Sequence, residues 1–261
     1  MTAIAEAPIL ETRALSVNFG GLKAVDKVDM RVDKGIIHGV IGPNGAGKTT
    51  FFNMLTGFVE PVSGTILFKG RDITHSPPHR KAALGMCRSF QNIKLFRTMS
   101  VLENVKVGFH YKLRTRVWDA ILHTAAYRAD EREITEKGME LLKLVNLDKF
   151  AKHQAANLAY GTQRRLEIAR ALASDPDILL LDEPAAGMNP SETAELTEFI
   201  REINRSGRTI VVIEHDMKLI MNLCSAITVL NQGVKICEGN AQQVRNNPDV
   251  IQAYLGRSAA N

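Results

Sequence analysis

The sequence predicts an α/β protein built on a mostly parallel sheet, and three observations carry that prediction. Short apolar stretches of strand length alternate with helical ones through the second half of the chain. One such strand, in "GVIGPNGAGKTTFFNMLTG", runs through a glycine-rich loop into an apolar helix. Between the two halves the hydrophobic period changes to a helical one, so a helical segment interrupts the core.

Taken in order, "LETRALSVNF", "VDKVDMRV" and "IIHGVIG" between residues 10 and 41 read as strands joined by turns containing Gly and Lys. They supply an antiparallel β subdomain at the N-terminus and lead into the core. "GTILFKG" is another short strand, and "HSPPHRKAALG" opens a short helix at Pro77 and Pro78. "MCRSFQN" returns to strand. From about Val101 to Ala156, "VLENVKVGF" and "ITEKGMELLKLVNL" carry apolar residues at helical spacing, with the charged "VWDAILHTAAYRADERE" as a looser helical insertion between them. Then follow a helix, the strand "DILLLDEP", the helix "ETAELTEFIREINRSG", the strand "TIVVIEHD", and a further helix and strand. The tail "RNNPDVIQAYLG" reads as a short docking helix with Asn247 as N-cap, Pro248 first and Gly256 past its end. The expected division is one domain over 1–261, with 1–90 and 166–261 forming the core and β subdomain, and 91–165 the inserted helical subdomain.

Composition narrows the class. With 261 residues, 45% hydrophobic and 23% charged, the chain can bury a substantial core. The net charge of +5 comes from scattered residues, which favours a solvated surface over a nucleic-acid footprint, so no nucleic acid is expected. Cys87, Cys224 and Cys237 are widely spaced and fit neither a disulfide framework nor a zinc site, as expected in a reducing compartment. The start "MTAIAEAPILETRAL" lacks the pattern of a secretory signal, and no run of about 18 apolar residues could cross a bilayer.

The chemistry concentrates in two motifs. Gly42, Pro43, Asn44, Gly45, Ala46, Gly47, Lys48, Thr49 and Thr50 follow an apolar strand and open a helix, the context a phosphate-binding P-loop requires. Its glycines let backbone N–H groups turn toward phosphate oxygens at a helix N-terminus. Lys48 supplies a cation to the β- and γ-phosphates, and the Thr49 hydroxyl is a Mg2+ ligand. In "ILLLDEP" a buried strand ends in Asp182, a direct or indirect Mg2+ ligand, and Glu183, placed to orient and deprotonate an attacking water. Phe19, Gln91 and His215 stand at strand ends, where ligands of open α/β sheets bind.

Gln91, "LAYGTQRRLEIARAL", "ILLLDEP", "AAGMNP" and His215, in that order behind a P-loop, resemble the ATP-binding subunit of an ABC transporter over essentially the whole chain. Within that family, "RRLEIARAL", "DEPAAGMNP", "EHDMKL", the charged insertion and the C-terminal "RNNPDVIQAYLG" are similar to subunits of branched-chain amino-acid importers. The resemblance implies a RecA-like P-loop core, ATP and Mg2+ as cofactors, and ATP hydrolysis by Glu183, His215 and Lys48. It implies that Phe19 stacks on adenine, that Gln91 touches Mg2+ and reports to the membrane domain, and that His215 contacts the γ-phosphate. Ala186, Gly187, Met188 and Asn189 match a loop that crosses to a second subunit; the family usually ends it with Asp, and here it ends with Asn189.

Leu158, Ala159, Tyr160, Gly161 and Thr162 align with the family's Leu-Ser-Gly-Gly-Gln signature, which binds the γ-phosphate of ATP held by the opposite subunit. Ala159 removes a hydroxyl worth about 1.5–3 kcal/mol where it would meet a charged phosphate. Gly161 and the helix N-terminus that starts there still favour an anion. The motif therefore reads as altered and functional.

The partners implied are integral membrane permease subunits, a second ATP-binding subunit (the same chain or a sister), and indirectly an extracytoplasmic substrate-binding protein. That places the chain on the cytoplasmic face of the plasma, or inner, membrane. Two ABC alternatives stay open: another transporter subgroup such as lipopolysaccharide export, and a soluble non-transport ATPase. The soluble kind usually has tandem cassettes or a long coiled coil, and this chain has neither. A GTPase or small-molecule kinase would leave the signature stretch unexplained, and the chain has no Asn-Lys-x-Asp to read guanine.

Overall fold

A computed structural model describes residues 7–89, 93–109, 119, 122 and 124–255. Two sheets and the helices around them make the expected mixed architecture. β1 (Leu10–Phe19), β2 (Leu22–Val32), β4 (Ser63–Phe68) and β5 (Arg71–Asp72) form a four-stranded sheet in the order β2-β1-β4-β5, antiparallel throughout. The second sheet has six strands. They are β3 (Ile37–Ile41), β6 (Met86–Arg88), β7 (Ile178–Asp182), β8 (Thr209–Ile213), β9 (Ala226–Asn231) and β10 (Val234–Gly239), in the order β10-β9-β3-β8-β7-β6. All its pairings are parallel except that of β10 with β9.

The parallel strands β3, β7 and β8 are buried at every position, because both faces of the sheet are covered. Alternate side chains feed two cores. Ile178, Leu180, Val211 and Ile213 join one that also holds β1, β2, β4 and the helix α1 (Lys48–Thr56), whose Phe51, Phe52, Met54 and Leu55 are fully buried between the sheets. Leu179, Leu181, Ile210 and Val212 join the other, with α3 (Val101–Phe109), α4 (Ala125–Leu144), α5 (Tyr160–Leu172) and α6 (Pro190–Arg205) on the opposite face. α2 is the short helix Pro78–Ala83, led in by the two prolines.

The helical segment differs in detail from the sequence reading. Residues 125–133 of the charged insertion and the start of the periodic segment after it are one helix, α4, which buries only Ile134, Gly138 and Leu142. A narrow apolar stripe suffices because α4 packs on α3 and leaves its charged side to solvent. α5 runs unbroken through Arg165 and Leu166. At the C-terminal end, α7 (Met217–Leu223) and β9 are followed by β10 and α8 (Ala241–Asn246), two elements the sequence reading did not separate. α9 (Pro248–Leu255) is capped as expected: the Asn247 side chain accepts from the N–H groups of Asp249 and Val250 at 2.9 and 3.2 Å. Gly256 and Gln91 lie outside the described residues, as do Phe90 and Asn92.

Candidate active site

The loop over residues 42–47 joins the buried end of β3 to the N-terminus of α1. Its back is pressed against the β9–β10 turn: Gly233 donates its N–H to Ala46 O at 3.0 Å. Two positions tolerate glycine alone. A Cβ on Gly42 would stand 2.1 Å from Leu230 O, and one on Gly47, at φ +95°, would stand 2.4 Å from Ala24 O. Gly47 is the N-cap of α1, so the first N–H groups of that helix face outward beside exposed Asn44 and Gly45. Lys48 is buried and folds back, donating to Gly42 O at 2.7 Å and Pro43 O at 3.1 Å. A γ-phosphate entering the loop offers that ammonium a charged acceptor in place of neutral carbonyls.

These residues line a cleft of about 730 Å³, a volume suited to a nucleotide. Residues 44–50 form its floor, with Phe19, Leu22 and Lys23 on one wall and Glu183, Gln232 and Gly233 completing it. Phe19 ends β1 beside the Gly20–Gly21 turn and is 52% exposed, so its ring is open to a flat partner in the cleft. Thr49 is exposed within the cleft. None of residues 158–162 lines it.

The strand β7 delivers the carboxylates. Asp182 is 2% exposed, and its Oδ2 accepts from Arg88 Nη2 at 2.5 Å. Arg88 also donates to Asn53 Oδ1 and Thr56 Oγ1 of α1, so one guanidinium joins β6, β7 and the phosphate-loop helix. Asp182 Oδ1 is buried and has no hydrogen-bond partner among the described residues. A buried carboxylate oxygen left in that state fits a cation or its water shell, and hard oxygen ligands fit Mg2+. Glu183, next along, has φ +44°, and its N–H extends the sheet by donating to Ile213 O at 2.9 Å. Such backbone costs about 1–3 kcal/mol in a residue that is not glycine, and of the non-glycine residues described with positive φ only Glu183 and Gln232 line this cleft.

β8 brings the third group. His215 is 58% exposed, and its Nδ1 faces Glu183 Oε2 at 3.8 Å and Glu214 Oε2 at 3.6 Å. Glu214 is buried, and burial pushes its carboxyl above the ordinary range. The structure thus brings Phe19, the phosphate loop and Glu183 to one cleft, and His215 to Glu183. Sequence reasoning missed Arg88, Glu214, Gln232 and Gly233. The first two sat in quoted motifs beside more conspicuous residues, and "NQG" between apolar runs was a turn signal.

Residues 158–162 open α5 on a different surface. The helix starts at Tyr160, one residue earlier than expected, with Ala159 as an N-cap whose side chain supplies no hydrogen bond. Gln163 N–H makes the first bond, to Ala159 O at 2.9 Å, so the three N–H groups before it lie outside the helical ladder. The Tyr160 ring, 43% exposed, lies beside Gly187: a Cβ there would lie 3.7 Å from Tyr160 Cε1. A bulky residue at this position therefore fills a gap between the helix start and the loop over residues 186–189. Asn189 ends that loop as the N-cap of α6, in a reciprocal capping box with Glu192.

The family model described as ABC transporter matches residues 25–186, and that described as branched-chain amino acid ATP-binding cassette transporter matches residues 234–260. The high-affinity branched-chain amino acid transport ATP-binding protein LivG of Escherichia coli (strain K12) is 47% identical over 252 residues, covering 96% of this chain and 99% of LivG. The similarly described BraF of Pseudomonas aeruginosa is also 47% identical, with the same coverage of both chains. Among solved structures, the ADP conformation of an ATP-binding cassette of an ABC transporter aligns with a TM-score of 0.84 at 31% identity, over 95% of this chain and 99% of the other.

Proposed function

The chain belongs to the ABC transporter family as an ATP-binding cassette, and from that premise we propose that it is the ATP-hydrolysing subunit of a branched-chain amino-acid importer. The observation that carries hydrolysis is Glu183, held at φ +44° on the wall of the phosphate-loop cleft and facing His215. The branched-chain assignment is supported by the 47% identity to LivG and BraF and by the match over residues 234–260.

In this reading the nucleotide base stacks on Phe19 and the phosphates lie on residues 42–50. Thr49 and Asp182 would hold Mg2+, whose charge helps neutralise the phosphate oxygens, and Gln91 would contribute from the segment after β6. Lys48 leaves its two carbonyls for the γ-phosphate, Glu183 takes the proton of the attacking water, and His215 meets the charge that develops. Residues 158–162 act on the nucleotide of a second ATP-binding subunit, a copy of this chain or a sister, which accounts for their absence from this chain's own cleft. The division into a core over 1–90 and 166–261 and a helical subdomain over 91–165 gives the moving parts. Closure between the two subunits shifts the helical subdomain and, through the segment holding Gln91, drives permease subunits in the membrane.

Among the described residues no helix is long and apolar enough to cross a membrane, so attachment falls to those permeases, at the cytoplasmic face of the inner membrane. Amino acid would reach them from an extracytoplasmic binding protein. The test is uptake of labelled leucine, isoleucine and valine by cells lacking this chain. The native chain restores it and Glu183→Gln does not; unimpaired uptake without the chain, or restoration by Glu183→Gln, contradicts the reading.

A further inference from the structure

Glu214 is a buried acid with a defined set of partners, and none of the roles assigned above uses it. It follows the five-residue strand β8, buried at every position, and is itself 1% exposed. Its Oε1 accepts the N–H of Ala185 at 2.8 Å, and its Oε2 accepts the N–H of His215 at 3.2 Å. The same Oε2 faces His215 Nδ1 at 3.6 Å.

The Ala185 bond has a particular place in the chain. Glu183 donates its own N–H to Ile213 O, and two residues later Ala185 donates to the side chain of Glu214. The unfavourable backbone at Glu183 is therefore pinned by two consecutive residues, Ile213 at the end of the neighbouring strand and Glu214 just past it. Left-handed geometry at a bulky residue persists only where its surroundings over-determine it. Ala185 is also the base of the loop over residues 186–189, since Met188 donates back to Ala185 O at 3.1 Å.

On the other side, the imidazole Nδ1 of His215 lies against two carboxylates, that of Glu214 and that of Glu183 at 3.8 Å. That arrangement sets Nδ1 against the carboxylates and leaves Nε2 as the ring nitrogen for the proposed phosphate contact. A carboxylate behind an imidazole fixes which nitrogen carries the proton, as in hydrolytic sites where an acid orients a histidine.

We infer that Glu214 is a positioning residue for hydrolysis: one buried carboxylate holds Glu183 through the Ala185 N–H and orients His215 through Nδ1. The inference rests on the proposed roles of Glu183 and His215. An aliphatic residue would take away the acceptor of the Ala185 N–H and free the imidazole to turn. Glutamine keeps an acceptor for Ala185 and loses the charge behind the histidine. The two variants therefore separate the two jobs.

The experiment is steady-state hydrolysis and equilibrium ATP binding by the full chain, native and as Glu214→Gln, Glu214→Leu, His215→Ala, Glu183→Gln and the double variant Glu214→Gln/His215→Ala. Glu214→Leu should lower kcat about thirtyfold or more and leave KM and ATP affinity within about threefold, because the phosphate loop and Phe19 are untouched. Glu214→Gln should cost about five- to tenfold in kcat, and under about twofold in the His215→Ala background, since its charge acts through the imidazole. Native kcat in folded Glu214→Leu, or a Glu214→Gln loss undiminished without His215, overturns the inference. If Glu214→Leu does not fold, the Glu214→Gln pair of measurements decides alone. Unchanged hydrolysis in Glu183→Gln would instead strike the active-site reading, so the two failures are distinguishable.

Discussion

The loops ahead of α1 and α5 both end at a helix N-terminus whose first N–H groups precede the helical ladder, yet they are built differently. The first is locked from behind: Gly42 and Gly47 fit only as glycine against Leu230 O and Ala24 O, and the β9–β10 turn is bonded across the loop. Lys48, Phe19 and Glu183 line its cleft from the same chain. The second has an Ala159 that supplies no side-chain cap, a tyrosine ring beside Gly187 and no share in the phosphate-loop cleft. One loop is a finished half of a site. In the proposed function the other supplies a complementary half to nucleotide held by a second subunit.

If that contrast is right, damage to the first loop should abolish binding or chemistry outright, and damage to the second should spare binding. Glu183→Gln gives the largest effect. Hydrolysis should fall at least about a hundredfold while ATP still binds, and an ATP-bound dimer should accumulate. Native-rate turnover by the purified variant would break the assignment. Lys48→Ala should weaken ATP binding about ten- to a hundredfold, the scale of a lost charge-assisted hydrogen bond of about 1.5–3 kcal/mol, and end turnover. Titration calorimetry checks the first part and phosphate release the second.

The second loop should respond more finely. Tyr160→Ala removes the prop against Gly187 and should slow turnover about five- to tenfold by misplacing two loops, whereas Tyr160→Phe keeps the ring and should stay within about twofold. A large loss in Tyr160→Phe would show that the hydroxyl, not the ring, is what matters. Ala159→Ser should change turnover least, within about tenfold in either direction, because it adds one hydroxyl to a site shaped without it.

The two loops were also unequally legible. The phosphate loop could be read from sequence because its determinants are local: glycines, a lysine and a helix start within a few residues. The strand ending in Asp182 and Glu183 was readable for the same reason, as a continuous apolar run stopped by two acids. Sheet order was not readable, since it depends on which buried strands meet. Nor was β10, whose exposed edge lacks a strong apolar pattern. Arg88, Glu214 and the Tyr160–Gly187 contact escaped because each acts between segments far apart in sequence. Gly187 and Tyr160 in particular looked unrelated until α5 and the loop before α6 were placed side by side.

The central claim is that residues 158–162 act on nucleotide bound elsewhere, and Gly161 is the place to test it. A Cβ there would meet Glu192 Oε1 at 3.5 Å, an ordinary contact, so the site accepts a side chain. An aspartate would face both an incoming phosphate and Glu192, so Gly161→Asn serves as the control of equal size without charge. The measurement is ATP affinity of the isolated chain beside hydrolysis by the assembled transporter. Gly161→Asp should bind ATP within about threefold of native, because its own phosphate loop is intact, yet lose hydrolysis by at least about a hundredfold, as expected for like charges meeting in a partly desolvated site. Gly161→Asn should bind ATP normally and lose less hydrolysis. ATP binding lost together with hydrolysis in Gly161→Asp would mean that the loop serves its own chain's nucleotide, and hydrolysis retained would mean that it meets no phosphate.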